Sequence, residues 1–370
     1  MRMNIIDHDL LSIQEARILA ENALEAQRTL ATFPQEKLDE IVERMAEEIS
    51  KHSKELAVMS SEETDYGNWQ DKYIKNRFAC EYLPANLKGM RCVGIIHTDQ
   101  EKQIMDVGVP MGVIVGLCPA TSPVSTTIYN ALIAIKAGNA VIFSPHPRAK
   151  QSIAKTLDIM IQAAEGYGLP EGALTYLHTV TQAGTIELMN HSATSLIMNT
   201  GVPAMLEAAY HSGKPVIYGG TGNGPAFIER TANIRQAVQD IIASKTFDNG
   251  VASAAEQSIV VDSCIANEAV SYTHLWDTTM NFLRITILDR GFASGFQKMF
   301  TGKSAMPCRR LMTACRKLIA VLREFSRRRR TSVSEYFRWN DFIRNIQVLP
   351  MLLRIIWNGF VYQRAFLLLQ

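Results

Sequence analysis

The fold is decided between Met111 and Lys150, where the chain reads MGVIVGLCPATSPVSTTIYNALIAIKAGNAVIFSPHPRAK. The run MGVIVGLC (111–118) is short and apolar, as a strand buried on both faces must be, and CPATSP (118–123) ends it. Residues 123–138 then place Ile128, Leu132 and Ile135 at helical spacing, with Gly138 in position to cap the helix. NAVIFSP (139–145) is a second apolar strand, and a helix over 149–165 carries Ile153, Leu157 and Ile161 on one side. Working outward, the alternation continues through strand 173–180, helix 183–190, strand 195–200, helix 202–212, strand KPVIYG (214–219) and helix 234–245. Strands alternating with helices predict an α/β fold with a Rossmann-like parallel sheet covered on both faces. Upstream, residues 11–30 read as helix. Residues 36–49 place Leu38, Ile41, Val42, Met45 and Ile49 in one apolar stripe, with Pro34 suited to the first turn.

Composition bounds the rest. The chain has 370 residues, of which 47% are hydrophobic and 20% charged, enough to build a full core and too apolar for a disordered chain. The six cysteines include no CxxC pair, so neither a disulfide framework nor a zinc cage is expected. The N-terminus is acidic within ten residues and lacks the apolar segment of a secretory signal, so a cytoplasmic setting is expected. The net charge of +2 hides an asymmetry: residues 1–270 carry 21 Lys and Arg against 31 Asp and Glu, and residues 271–370 carry 17 against 5. Such a shift marks a boundary.

In a parallel sheet, ligands bind at the carboxyl ends of the strands. The loops there are CPATSP (118–123), SPHPRAK (144–150), NTGVP (199–203) and GGTGNGP (219–225). Glycine and small hydroxyl residues let a backbone approach a flat or phosphorylated ligand. No GxGxxG fingerprint and no phosphate-binding GxxxxGK[ST] loop is present, and a turn without any ligand is an equal reading of GGTGNG.

The run VGVPMGVIVGLCPATSPVSTTIYNALIAIKAGNAVIFSPHPRAK resembles the aldehyde dehydrogenase superfamily, and more narrowly its CoA-acylating branch. SSEETDYGNWQDKYIKNRFACEYL (60–83), SGKPVIYGGTGNGPAFIERTAN (212–233) and SKTFDNGVASAAEQSIVV (244–261) resemble further blocks of that branch, in order. The resemblance covers about residues 10–270. It implies a nicotinamide-binding domain over 1–243, the start of a catalytic domain over 244–270, and a basic segment over 271–370 with no counterpart in the family. It also implies a reaction: a cysteine attacks a small aldehyde, hydride passes to NAD, and coenzyme A takes the acyl group as co-substrate. Acetaldehyde, sulfoacetaldehyde and succinate semialdehyde are among the substrates implied.

Carried over residue by residue, the family's nucleophile falls on Ser253, four positions after Asn249 of TFDNG, where no cysteine stands. A serine without an identified base is a far poorer nucleophile. The side-chain amide that stabilises the oxyanion falls on Ser122, which offers one shorter donor. For NAD, the resemblance points to Pro119 and Ser122 near the nicotinamide and to Ser144, His146 and Pro147 on the adenosine side. It also points to Thr200 and Gly201 beneath the pyrophosphate, and to Gly219, Gly220 and Gly222 closing the pocket. His146 reads equally as a loop cap. The stretch matching the general base of hydrolytic members, Val216–Gly220, holds no carboxylate, in keeping with transfer to coenzyme A rather than to water. Glu256 reads as a surface or capping carboxylate, and Cys118 and Cys264 as small buried hydrophobes. No metal site is expected.

From Ser271 the resemblance stops. Three readings stand: foreign or frameshifted sequence, a basic module using Arg327–Arg330 with Tyr336 and Trp339 against nucleic acid or an acidic membrane, and a diverged catalytic remnant. Leu311, Cys315, Leu318 and Leu322 share a helical face. The last 22 residues are apolar but carry Arg354 and Arg364, which argues against a spanning helix. The family implies a homo-oligomer, and a catalytic domain cut short argues against one here. The expected activity is NAD-dependent CoA-acylating oxidation of a short aldehyde, impaired in this chain. The alternative is an inactive dinucleotide-binding paralogue or fragment.

Overall fold

Residues 7–220, 222 and 224–269, and the backbone of 284–288, are described by a computed structural model. The tail features beyond them, including the Leu311–Leu322 face, the arginine run and the apolar C-terminus, lie outside the described residues. Two compact units divide the chain, one formed by residues 1–221 with 247–252, the other by 222–246 with 253–370. They therefore part at 221/222, and the expected boundary at 243/244 falls inside a helix of the second unit.

In the first unit the N-terminal residues form α1 (His8–Leu30), α2 (Gln35–Lys51), α3 (Ser53–Thr64), α4 (Trp69–Arg77), a π-helical turn at Phe78–Tyr82 and α5 (Leu83–Leu87). Asp7 caps α1 through its carboxylate, and Asn68 caps α4. Pro34 is the N-cap of α2 rather than part of its first turn. The α2 stripe is buried as its spacing requires. On α1, Leu10, Leu11 and Ile18 are exposed, and Ser12, Ala16, Ala20 and Ala23 form the buried face. Small residues win there because α1 lies close against another helix, described below.

A two-stranded antiparallel hairpin, β1 (Gly94–Asp99) and β2 (Ile104–Gly108), comes next and was not anticipated. Then follow β3 (Val113–Leu117), α6 (Pro123–Lys136), β4 (Ala140–Ser144), α7 (Lys150–Glu165), β5 (Leu174–Tyr176), α8 (Gln182–Asn190), β6 (Thr194–Thr200), α9 (Leu206–His211) and β7 (Val216–Gly219). The alternation is as the sequence predicts, though β5 is three residues long and the 202–212 helix is a short 3-10 turn followed by α9. Gly138 has φ 71° and ends α6 as its position suggests.

The five strands are parallel in the order β5-β4-β3-β6-β7. The chain moves one way from β3 to β5, returns to β6 beside β3, and then moves the other way. Right-handed crossovers therefore put α6 and α7 on one face and α8 and α9 on the other. The packing agrees: α2 lies against α6 and α7, and α1 against α8. Strands β3 and β4 are buried at every position, with Phe143 and Ile142 at the centre of the core. Each large apolar side chain buried here contributes roughly 1.5–3 kcal/mol.

The second unit contains β8 (Gly224–Ile228), α10 (Ile234–Thr246), β9 (Glu256–Asp262) and β10 (Arg284–Leu288), with the strands parallel in the order β10-β9-β8. Pro225 and Gly224 hide β8 from a sequence reading. An edge strand tolerates both. Ile228, Val238, Ile241, Ile259 and Val261 form this unit's small core.

Candidate active site

The strand order reverses between β3 and β6, and in a parallel sheet the carboxyl edge at such a reversal is where a ligand crevice is expected. Pro119 and Ser122 lie on the loop after β3, Thr200 and Gly201 at the end of β6. Gly201 has φ 67°, and a Cβ there would sit 3.3 Å from Pro119 Cβ, so the two loops are in contact. Asn130 Nδ2 of α6 donates to Thr200 Oγ1 at 3.2 Å, and Gly201 N to Gly219 O at 3.0 Å, which ties β7 to the same rim. Contacts thus link Pro119, Gly201 and Gly219, with Thr200 adjoining Gly201, while Ser122 lies on the same loop as Pro119 and its hydroxyl meets Lys75. Gly220 follows Gly219 directly and is exposed.

Ser144, His146 and Pro147 follow β4, the neighbouring strand. The Ser144 hydroxyl is buried and engaged with Thr185 Oγ1 at 2.8 Å, a link between β4 and α8. His146 Nδ1 accepts from Arg148 N at 3.1 Å, capping the 3-10 turn that Pro147 begins. Burial first, and the Arg148 guanidinium second, push the His146 pKa down, so the ring favours the neutral form that can accept this bond.

The feature that sequence reasoning missed is a buried charge cluster beside Ser122. Lys72 and Lys75, three apart on α4, face the same way. Lys72 Nζ donates to Thr121 O at 2.7 Å, and Lys75 Nζ to Ser122 Oγ at 2.6 Å. Both ammonium groups pair with Asp248 Oδ2, Lys72 at 3.5 Å and Lys75 closer. The other oxygen, Oδ1, accepts from Asn68 N at 3.0 Å, so the fully buried carboxylate is satisfied on both oxygens. Asp71 completes the group, accepting from Asp248 N at 2.7 Å and Asn68 Nδ2 at 2.6 Å. Burial pushes the Lys72 pKa down to about 8, with Lys75 adding to the effect and Asp248 opposing it. Burial also lowers Lys75, against the pull of Asp248 and Asp71.

Asp248 and Asn249 reach this position through left-handed backbone, with φ of 50° and 54°, and Gly250 follows at 75°. Aspartate and asparagine are the non-glycine residues that best tolerate it. Ser122 is the N-cap of α6 yet makes no capping bond, because its hydroxyl is turned to Lys75. Two signals could have exposed the cluster: lysines at i and i+3 in a helix flanked by apolar neighbours, and the Asp-Asn-Gly turn in TFDNG.

In the second unit Ser253 is exposed, on the turn before β9. Gly222, at φ 76°, lies against it: a Cβ there would fall 1.8 Å from Ser253 O. Gly222 thus has a packing role in this unit. Glu256 is the first residue of β9 rather than a surface cap. Its Oε2 is buried with no hydrogen-bond partner among the described residues. Cys118 is buried as expected, its pKa pushed up to about 12 by desolvation, which keeps it an unreactive thiol. Cys264 corrects the sequence reading: it is exposed, because it falls just beyond the end of β9 rather than within it.

Residues 4–275 match the sequence profile of the aldehyde dehydrogenase family. The chain is 41% identical over 250 residues to the bifunctional aldehyde-alcohol dehydrogenase of Escherichia coli (strain K12), covering 68% of this chain and 28% of that protein. The chain thus spans under a third of the length of that curated relative. Among solved structures, an acetylating aldehyde dehydrogenase from Geobacillus thermoglucosidasius is 43% identical with a TM-score of 0.70, covering 74% of this chain and 60% of the other. The propionaldehyde dehydrogenase of Rhodopseudomonas palustris, solved with bound CoA and an acylated cysteine, is 29% identical with a TM-score of 0.60, covering 70% and 57%.

Proposed function

The chain belongs to the aldehyde dehydrogenase family, in its CoA-acylating branch, and from that premise we propose that it binds NAD and oxidises a short aldehyde to an acyl-CoA, slowly, through Ser253. The observation that supports the reading is the reversal of strand order between β3 and β6, with Pro119 and Ser122 on the loop after β3, Thr200 and Gly201 at the end of β6, and Gly219 at the end of β7. The residues there fit a dinucleotide: glycine lets the backbone come close, and the small side chains leave room for a flat ring. NAD, when bound, supplies the hydride acceptor. Pro119 and Ser122 would hold its nicotinamide end, and Thr200 and Gly201 its pyrophosphate. His146 and Pro147 would border the adenosine, while Ser144 supports that loop from within.

The protein's own chemistry follows from Ser122 and Ser253. The Ser253 hydroxyl occupies the nucleophile's place in the sequence, and, since Ser253 is exposed, attack on an aldehyde carbonyl would release its proton to solvent water. No base is identified beside it, which sets the low rate. Ser122, at the position the family resemblance assigns to the oxyanion amide, offers one O–H donor. Coenzyme A, a thiol, would then accept the acyl group. No carboxylate in Val216–Gly220 stands ready to activate water instead.

The loss of cysteine at 253 favours a second reading, a dinucleotide-binding paralogue without turnover. One measurement separates them: CoA-dependent NADH formation with a short aldehyde, for the unaltered chain and for Ser253→Cys. Slow turnover that rises at least about tenfold in the variant supports the enzyme reading, as expected when a thiolate replaces an alcohol. No NADH from either chain supports the second reading. Turnover by the unaltered chain equal to that of the variant removes Ser253 from the mechanism.

A further inference from the structure

We propose that Lys75 is a positioning residue for Ser122: by donating to Ser122 Oγ it fixes the hydroxyl so that its own proton points away from α4, ready for a developing oxyanion. This deepens the reading of Ser122 given above and rests on it.

The argument begins with what a serine lacks. A side-chain amide has an N–H donor whose direction is set by the plane of the group. A hydroxyl rotates, and its hydrogen goes wherever the best acceptor lies. As an N-cap, Ser122 would ordinarily turn its oxygen to the first amides of α6. It does not, and α6 has no side-chain cap. Instead Lys75 Nζ lies 2.6 Å from Oγ. An ammonium has three donors and no acceptor, so the Ser122 oxygen must accept this bond. One lone pair is thereby occupied, and the hydroxyl proton cannot point toward Lys75. A cation at this distance also draws electron density from the oxygen, which makes its O–H a stronger donor.

The lysine is itself held. Asp248 binds Lys75 and Lys72 through one oxygen and Asn68 N through the other. Lys72 anchors the adjoining carbonyl, Thr121 O. Both residues of the loop that carry polar contacts to α4 are therefore fixed from a rigid helix, with a fully buried carboxylate as the common counter-charge. A cluster built only to hold the loop would need the Thr121 contact alone. The second lysine ends on the one side chain whose orientation the proposed reaction depends on.

The test has two arms on the full chain. In the first, lysine-labelled protein is observed through its ammonium ¹H–¹⁵N signals, in which buried, hydrogen-bonded groups exchange slowly. Lys75→Met assigns the Lys75 signal. Ser122→Ala is expected to shift it and leave the Lys72 signal nearly in place. A Lys75 signal unmoved by Ser122→Ala overturns the proposal. In the second arm, kcat for NADH formation is measured in the Ser253→Cys background. Lys75→Met is expected to lower kcat about tenfold with Ser122 present and far less when Ser122→Asn supplies a planar amide donor. The KM for NAD should hold steady throughout. An equal loss in both backgrounds marks a merely structural lysine and overturns the proposal. No NADH from the unaltered or Ser253→Cys chains defeats the enzyme reading and the catalytic half of this inference, while the first arm still decides the bond.

Discussion

Gly67 has no side chain because Asp248 fills the space one would need: a Cβ there would lie 1.8 Å from Asp248 Oδ1. That single contact shows how tightly the carboxylate is enclosed, and enclosure is what shifts the lysines beside it. Lys72 gives up its proton more readily in the folded protein, its pKa held at about 8 against 10.5 for an ordinary lysine, with burial the largest cause and Lys75 the next. The sign follows from proton counting. Between pH 8 and 10.5 the unfolded chain binds more protons at this site than the folded chain, so raising the pH through that window stabilises the fold. Lys75, Asp248 and Asp71 are the charged groups around it, and Lys75, also lowered, acts in the same direction. Relative to Lys72→Met, the unaltered chain should therefore gain on the order of 2 kcal/mol between pH 8 and 10.5, read from urea denaturation. A constant difference across that window contradicts a depressed lysine.

At the level of elements, α1 and α8 illustrate packing that overrides composition. Helix α8 contains Gly184, and a Cβ there would meet Ser12 Oγ of α1 at 1.9 Å. Ser12 cannot give way freely, since its hydroxyl donates to Thr179 O at 2.5 Å. Helix propensity alone says that Gly184→Ala should stabilise by up to about 1 kcal/mol. The close approach says the opposite, and sterics win: the variant should lose about 1–3 kcal/mol, measured by denaturant titration. A gain in stability would show that α1 and α8 are farther apart than described. The same closeness explains why Ala16, Ala20 and Ala23 face inward and Leu10, Leu11 and Ile18 do not.

For the whole molecule, the proposed reading requires that NAD binds the folded chain, where strand order reverses, and not the unfolded one. At a hundred times its dissociation constant, NAD should add about 2.7 kcal/mol of stability, which raises the melting temperature by roughly 5 °C or more. An unchanged melting temperature at millimolar NAD would remove the cofactor from the reading. This measurement does not depend on Ser253, so it separates binding from chemistry. Among the described residues, no helix is long and apolar enough to cross a membrane.

The sequence by itself determined the alternation of strands and helices, because each element's period is local: an apolar run for β3 and β4, a spaced stripe for α2, α6 and α7. It also identified the family blocks and the serines standing at positions 122 and 253, since those are matters of residue identity. The strand order β5-β4-β3-β6-β7, and with it the place where the order reverses, came only from the tertiary structure, because pairing joins segments far apart in the chain. So did the inward alanines of α1, the exposure of Cys264, and the meeting of Lys72, Lys75 and Ser122 with Asp248. That last contact spans 173 residues between Lys75 and Asp248. Charged residues carry no periodic signal of burial, and only the folded chain shows which of them must be paired out of water.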